Sequence, residues 1–111
     1  MNIKLNEIAN KTVIVSGGKG SMGLMVSDFI NHLDGFEVTG IIDPAEGDSN
    51  FKNLSISDDL ISDYIFEFAP ASVVNENIKI LAKNESKLII GSSGVNDESI
   101  ELLKNSSKGV S

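Results

Sequence analysis

The sequence predicts an α/β fold, a doubly wound sheet of parallel strands with helices on both faces. Three observations carry this. Short runs rich in Val, Ile and Phe stand at residues 12–16, 37–42, 64–68 and 87–90, each bounded by glycine or polar residues. Continuous apolar runs of this kind suit strands covered on both faces. Between them lie segments with apolar residues three and four apart, and a glycine-rich turn joins the first run to the first such segment; alternation of strand and helix is the signature of a parallel sheet.

Residues 1–11 are polar with Ile3, Leu5 and Ile8 spaced among them, and read as a short helix or an irregular lead-in. The first strand occupies residues 12–16. The helix after the glycine turn draws its apolar face from Met22, Met25, Val26, Phe29, Ile30 and Leu33, with Ser27, Asp28 and Asn31 opposite. The second strand, 37–42, leads into Asp43. Residues 46–59 are polar and glycine-containing, with a short strand expected near 54–56 and a single turn near 57–61. The strand at 64–68 is followed by Pro70, which suits a helix start, and then by Val74, Ile78, Leu81 and Ala82 at helical spacing. After the strand at 87–90, Ile100 and Leu103 mark a third helix. Gly109-Val110-Ser111 reads as a helix stop and the first step of another strand. With no internal repeat, 111 residues are enough for one domain, so residues 1–111 are expected to form a single unit.

Nine basic residues against 16 acidic ones give a formal charge of −7. Such a surface repels nucleic-acid backbones and anionic membranes, so neither is expected as a partner. Apolar runs such as Val13-Ile14-Val15 fall far short of a membrane span. The N-terminus lacks a basic start followed by an apolar stretch, so no signal peptide is expected. The absence of cysteine excludes a disulfide framework and any cysteine-based metal or redox site, and fits a cytoplasmic protein. No metal site is expected.

The segment Ser16-Gly17-Gly18-Lys19-Gly20-Ser21-Met22-Gly23 closes the first strand and opens the first helix. Gly18, Gly20 and Gly23 fit G-x-G-x-x-G; Gly17, Gly20 and Gly23 fit G-x-x-G-x-x-G. Either register serves the same physics. Glycines permit positive φ and let backbone N–H groups approach a pyrophosphate closely, while the helix N-terminus faces the phosphates with free donors and its positive dipole end. Gly23 would let helix and strand pack closely. Asp43 stands 20 residues after Gly23 at the end of the second strand, where a ribose-binding acid belongs. The plainer reading of Asp43 is a turn residue before Pro44. Strand, glycine loop, helix, strand and acid in this order point to a Rossmann-like domain that binds NAD(P). No Gly-Lys-Ser/Thr follows at the spacing of a P-loop.

Beyond the loop, four pieces resemble the N-terminal domain of the 4-hydroxy-tetrahydrodipicolinate reductase (dihydrodipicolinate reductase) family. Gly17-Gly18-Lys19-Gly20-Ser21-Met22-Gly23 is similar to the family's G-x-x-G-R-M-G, Ile41-Ile42-Asp43-Pro44 to its second-strand ending, Phe66-Glu67-Phe68-Ala69-Pro70 to its I-D-F-T-x-P, and Gly91-Ser92-Ser93-Gly94 to its G-T-T-G. The resemblance implies an oxidoreductase of the diaminopimelate and lysine route that uses NADH or NADPH. It implies that residues 17–23 (Gly17, Gly18, Lys19, Gly20, Ser21, Met22 and Gly23) hold the pyrophosphate and Asp43 the adenosine ribose. Phe68, Ala69, Gly91, Ser92, Ser93 and Gly94 would line the nicotinamide side. NAD(H) is the expected preference, with NADP(H) also accommodated. The sequence departs from the family at Ser21, usually basic; at Ala69, Ser92 and Ser93, usually threonine; and at Glu67, usually aspartate. Lys19 stands near enough to replace part of the charge missing at Ser21.

The family's substrate domain, with its histidine pair, lysine and serine-glycine-threonine loop, has no counterpart in these 111 residues. No catalytic residue is therefore expected: His32 reads as a surface helix residue, and Asp63 and Glu67 as strand flanks. The expectation is a cofactor-binding domain truncated before its substrate domain, binding cofactor without catalysing. Homo-oligomers are expected only for full-length family members. The alternatives are a free-standing NAD(H)-sensing or regulatory module, and a structural fragment without binding.

Overall fold

Val13, Ile14 and Val15 form the middle of the molecule, each no more than 2% exposed. They belong to β1 (Lys11–Ser16). In the computed structural model, which describes residues 10–17, 20–43 and 53–106, the chain continues through α1 (Ser21–Asn31), β2 (Phe36–Ile42), β3 (Asn53–Leu54), β4 (Tyr64–Glu67), α2 (Ala71–Leu81), β5 (Lys87–Ile90) and α3 (Asp97–Lys104). All strand pairs are parallel, in the order β3-β2-β1-β4-β5. The four long apolar runs are thus strands. β4 ends one residue before Phe68, whose N–H still continues the ladder by donating to Ser16 O at 2.8 Å. The strand expected near 54–56 is the two-residue β3. The turn expected over 57–61 is instead a tight turn at Ile56–Asp58, because the Asp58 carboxylate accepts the Ser55 N–H at 2.7 Å and its own N–H returns to Ser55 O. The lead-in over residues 1–9, the segment 44–52 and Gly109-Val110-Ser111 lie outside the described residues.

Alternation along β1 sends its side chains to two cores. Ile14 joins Ile42, Leu60, Ile65, Val74, Ile78, Leu81, Leu88 and Leu103 under α2 and α3. Val13 and Val15 join Val38, Ile41 and Ile30 under α1. Val38 and Ile41 can share a face because Thr39 is an extra residue in β2: Val13 pairs with Val38 and Ile14 with Gly40. The helix at 71–81 behaves as its spacing predicts, with Val74, Ile78 and Leu81 fully buried, each contributing about 1.5–3 kcal/mol by leaving water. In α3, Leu103 enters the core and Ile100 does not.

α1 departs from expectation. Its buried residues are Gly23, Ser27 and Ile30, with Val26 partly buried, while Met22, Met25, Phe29 and Leu33 face solvent at 40–65% exposure. Ser27, expected on the polar face, is 0% exposed. The physical reason is distance. The start of the helix lies close on the sheet, so the seam takes the small Gly23 and Ser27 before Ile30, and most of the large apolar residues turn outward.

The N-terminal ends of β1 and β4 are clasped by a polar pair. Asp63 Oδ2 accepts from Thr12 N–H at 2.8 Å and Thr12 Oγ1 at 3.1 Å, and Thr12 Oγ1 accepts the Asp63 N–H at 3.0 Å. The Thr12 backbone hydrogen bond first, then its hydroxyl and the nearby Lys11 charge, hold the Asp63 carboxyl below the usual carboxylate range. A carboxylate whose folded pKa is depressed stabilises the fold above its unfolded pKa, and that contribution is lost as pH falls through the folded value. Asp63→Asn is expected to lower the urea midpoint at neutral pH. The gap between wild type and variant should then close as pH drops below about 4; a gap that persists into acid would show that the clasp does not depend on the charge.

Candidate functional site

The C-terminal ends of β1, β4 and β5 meet at one edge of the sheet. The chain leaves β1 toward β2 on one side and later returns to pair β4 on the other. Strand order therefore reverses between β1 and β4, and ligands of open α/β sheets bind outside the strand ends at such a point.

Gly17 turns the chain out of β1. Its N–H donates to Ile42 O at 2.6 Å, joining the turn to the end of β2. Its φ is +78°, and a β-carbon there would stand 2.8 Å from Phe68 C and 2.9 Å from Ala69 N, both backbone atoms that cannot give way. Gly20 is the N-cap of α1 with extended φ and ψ of −75° and 167°. Its N–H donates to Gly17 O at 3.2 Å, and its carbonyl accepts Leu24 N–H at 2.9 Å. Among the described residues no side chain caps this helix, and no acid sits in its first turn. Among the described residues, the N–H groups of Ser21, Met22 and Gly23 thus end the helix without the carboxylate or hydroxyl that commonly answers them. Ser21 and Met22 are exposed, and Gly23 is buried against the sheet. Gly18 and Lys19 lie outside the described residues. Asp43 follows β2 immediately and is half-buried.

The loop from β4 to α2 faces this turn. Ala69 is buried at 5% exposure; the Phe68 ring is half-buried and packs at 6.2 Å, tilted, against Phe66. A β-carbon at Gly91 would run into Phe68 Cε1 and stand 2.8 Å from Cδ1, so the ring lies directly over the Gly91 backbone. Ser92 Oγ donates to Ala69 O at 2.6 Å and approaches Glu67 O at 3.2 Å, tying the β5–α3 loop to the β4–α2 loop. Its single proton is occupied by these carbonyls. Ser93 and Gly94 are exposed beside it. The structure thus brings Gly17, Gly20, Phe68, Ala69, Gly91 and Ser92 together around the ends of three adjacent strands, with Asp43 at the end of a fourth.

Three polar residues outside the sequence motifs hold these loops. Asn75 Nδ2 donates to Gly94 O at 3.0 Å, while Asn75 Oδ1 accepts from Asn96 N–H at 3.0 Å and Ser99 Oγ at 2.7 Å. Asn96 Oδ1 in turn caps α3 through Ser99 N–H at 2.9 Å. Glu67, expected as a strand flank, is instead 0% exposed, with its carboxylate held by Asn77 Nδ2 at 2.9 Å. A signal was present: asparagine is a weak helix former, so Asn75 and Asn77 inside a helix point to side-chain work. His32 is an exposed residue at the C-cap of α1, hydrogen-bonded to the Asp28 carbonyl at 2.7 Å.

Residues 11–111 match the family model described as dihydrodipicolinate reductase, N-terminus. The chain belongs to the dihydrodipicolinate reductase family. Among its relatives is the 4-hydroxy-tetrahydrodipicolinate reductase of Lactobacillus helveticus, 30% identical over 99 residues covering 79% of this chain and 38% of the relative. That of Methanoculleus marisnigri is 31% identical over 99 residues, covering 82% and 39%. The chain therefore spans under two-fifths of the length of these curated relatives. The fold is shared with the dipicolinate-bound dihydrodipicolinate reductase of a Paenisporosarcina species, with a TM-score of 0.66 and 17% identity over 85% of this chain and 42% of that one.

In this member of the dihydrodipicolinate reductase family, Gly17 meets both a backbone and a packing constraint, whereas Gly35, with φ +88°, has nothing among the described residues within 4 Å of an added β-carbon. Gly35→Ala is expected to cost only the left-handed strain, roughly 1–2 kcal/mol. Gly17→Ala should cost more, on the order of 1–3 kcal/mol beyond that, read as the difference in unfolding free energy. Equal losses would mean that the β4–α2 loop yields freely.

Proposed function

We propose that this chain is the NAD(P)H-binding part of a 4-hydroxy-tetrahydrodipicolinate reductase, holding the cofactor while the substrate is met by a further domain. The observation that carries the reading is the uncapped start of α1, set behind a glycine turn at the point where strand order reverses. The donors there suit an anion with its own oxygens. The group fits the residues present, since Gly20 offers no side chain to block the approach and Gly17 folds its turn flat against Phe68 and Ala69. When bound, the reduced nicotinamide supplies the hydride. The chain's own part is to bind and orient: the turn from Gly17 to Gly23, with Gly18, Lys19, Ser21 and Met22, would hold the pyrophosphate. Asp43 would accept from the ribose hydroxyls, and Phe68, Ala69 and the Gly91–Ser92–Ser93–Gly94 turn would bound the nicotinamide side. The family match favours this over a free-standing NAD(H)-sensing module. The same reading treats residues 1–111 as one domain working in the cytoplasm, where no helix among the described residues is long and apolar enough to cross a membrane.

Gly20→Val tests the reading directly. Among the described residues a β-carbon at Gly20 would meet only Gly17 O, at an ordinary 3.5 Å, so the fold is expected to persist. The side chain would stand in front of the helix donors, and calorimetric titration with NADH should show binding lost. Retained affinity in a folded variant would reduce the loop to a mere turn.

The second expectation is a preference for NADH over NADPH of about 10- to 100-fold, set by Asp43. Hydrogen bonds to an ionised acceptor contribute roughly 1.5–3 kcal/mol each, and two unit charges about 4 Å apart repel by roughly 4 kcal/mol at an effective dielectric near 20. Screening by salt and water brings the net to the stated range. All nine basic residues of the chain are lysines, so no arginine is at hand to grip a 2′-phosphate with a planar fork. Asp43→Ala should lose NADH affinity and keep or improve NADPH affinity. Equal binding of the two cofactors by wild type would remove Asp43 from the ribose.

A further inference from the structure

Glu67 is a carboxylate buried to 0% exposure at the last position of β4. Among the described residues no lysine forms an ion pair with it. It is met by neutral donors: Asn77 Nδ2 on Oε2 at 2.9 Å and, at a long 3.4 Å, the Ala69 N–H on Oε1. Burying a carboxyl group on neutral donors alone is expensive, and an apolar residue would fill the space at lower cost. Its contacts lie at one place. Through Oε1 it reaches back to the loop that leaves its own strand, and through Oε2 that loop is fastened to the second turn of α2. The carbonyls of Glu67 and Ala69 receive Ser92 Oγ, and the Phe68 and Ala69 backbone is the surface against which Gly17 packs. Beside Glu67 in the β1–β4 register lies Ser16, whose buried Oγ has no hydrogen-bond partner among the described residues.

We infer that Glu67 is a positioning residue for the nicotinamide half of the site: its carboxylate, anchored by Asn77, holds the Phe68–Ala69 backbone in the one shape that serves both the glycine turn and the Ser92 loop. The inference rests on the dinucleotide reading above. What fixes the loop is a pair of hydrogen bonds, and a glutamine can keep both by reversing one of them. Its Oε1 accepts from Ala69 N–H, and its Nε2 donates to Asn77 once that amide turns over. A leucine of similar volume cannot, and leaves both donors unanswered.

The test uses the 111-residue chain and two ligands, NADH and ADP-ribose, the second lacking the nicotinamide. Wild type is expected to bind NADH more tightly than ADP-ribose. Glu67→Leu should weaken NADH about tenfold or more, the cost of roughly one hydrogen bond to a charged group, while ADP-ribose, which meets this loop only through the glycine turn, loses clearly less. Glu67→Gln should restore NADH binding to near the wild-type value. Asn77→Ala, at a half-buried helix position, keeps the proposal open to test if the leucine variant does not fold, and should give the same selective loss in smaller measure. Three results would overturn it: unchanged NADH affinity in the leucine and alanine variants, equal losses for both ligands, or a glutamine variant as weak as the leucine one. If wild type binds neither ligand, the dinucleotide reading is what fails.

Discussion

Gly17 and the Phe68–Ala69 peptide touch backbone to backbone, with no room for a β-carbon between them. Much of the molecule follows from that approach. β1 ends at Ser16 and α1 opens at Ser21, with the start of the helix buried against the sheet at Gly23. A close helix takes small residues on the first turns of its inner face, which is why Gly23 and Ser27 sit there, with Ile30 buried further along, while Met25 and Phe29 look outward. The same contact sets the uncapped helix start beside the ends of β1 and β4, where a helix dipole and free donors act together. Placement of the functional edge and the odd amphipathicity of α1 have one origin.

A second tier of organisation is polar and runs through α2. Asn75 and Asn77 stand on this helix and reach the two loops that follow β4 and β5. Because α2 is seated by Val74, Ile78 and Leu81 in the larger core, the loops inherit the rigidity of that core. Ser92 adds a direct tie between them. Loops built this way hold their shape without relying on contacts to a bound molecule, the preorganisation a binding site gains from.

The strands were legible in the sequence because their runs are continuous and short, and the glycine turn because its spacing follows the first run at once. The helix at 71–81 was legible too, its stripe and its Pro70 start agreeing. The inner face of α1 was not. Six apolar residues at 22, 25, 26, 29, 30 and 33 cover so wide an arc that periodicity cannot say which half meets the sheet. The turn at Ile56–Asp58 depends on one carboxylate–amide bond at 2.7 Å, too local for a pattern to reveal. Glu67 was hidden for a different reason. A charged residue at a strand end usually meets water, and the partner that buries it here lies ten residues away on another element.

The Phe68 ring over Gly91 carries a consequence for how the sequence can drift. The ring occupies the volume in which any larger residue at 91 would place its first carbon. A change at 91 therefore requires the Phe68 ring to move aside or a smaller side chain at 68, whereas shrinking Phe68 alone leaves a gap over the strand end. The two positions are coupled, and a smaller side chain at 68 eases a later change at 91. Homologues that carry a bulky residue at the position of Gly91 should be found without an aromatic ring at that of Phe68.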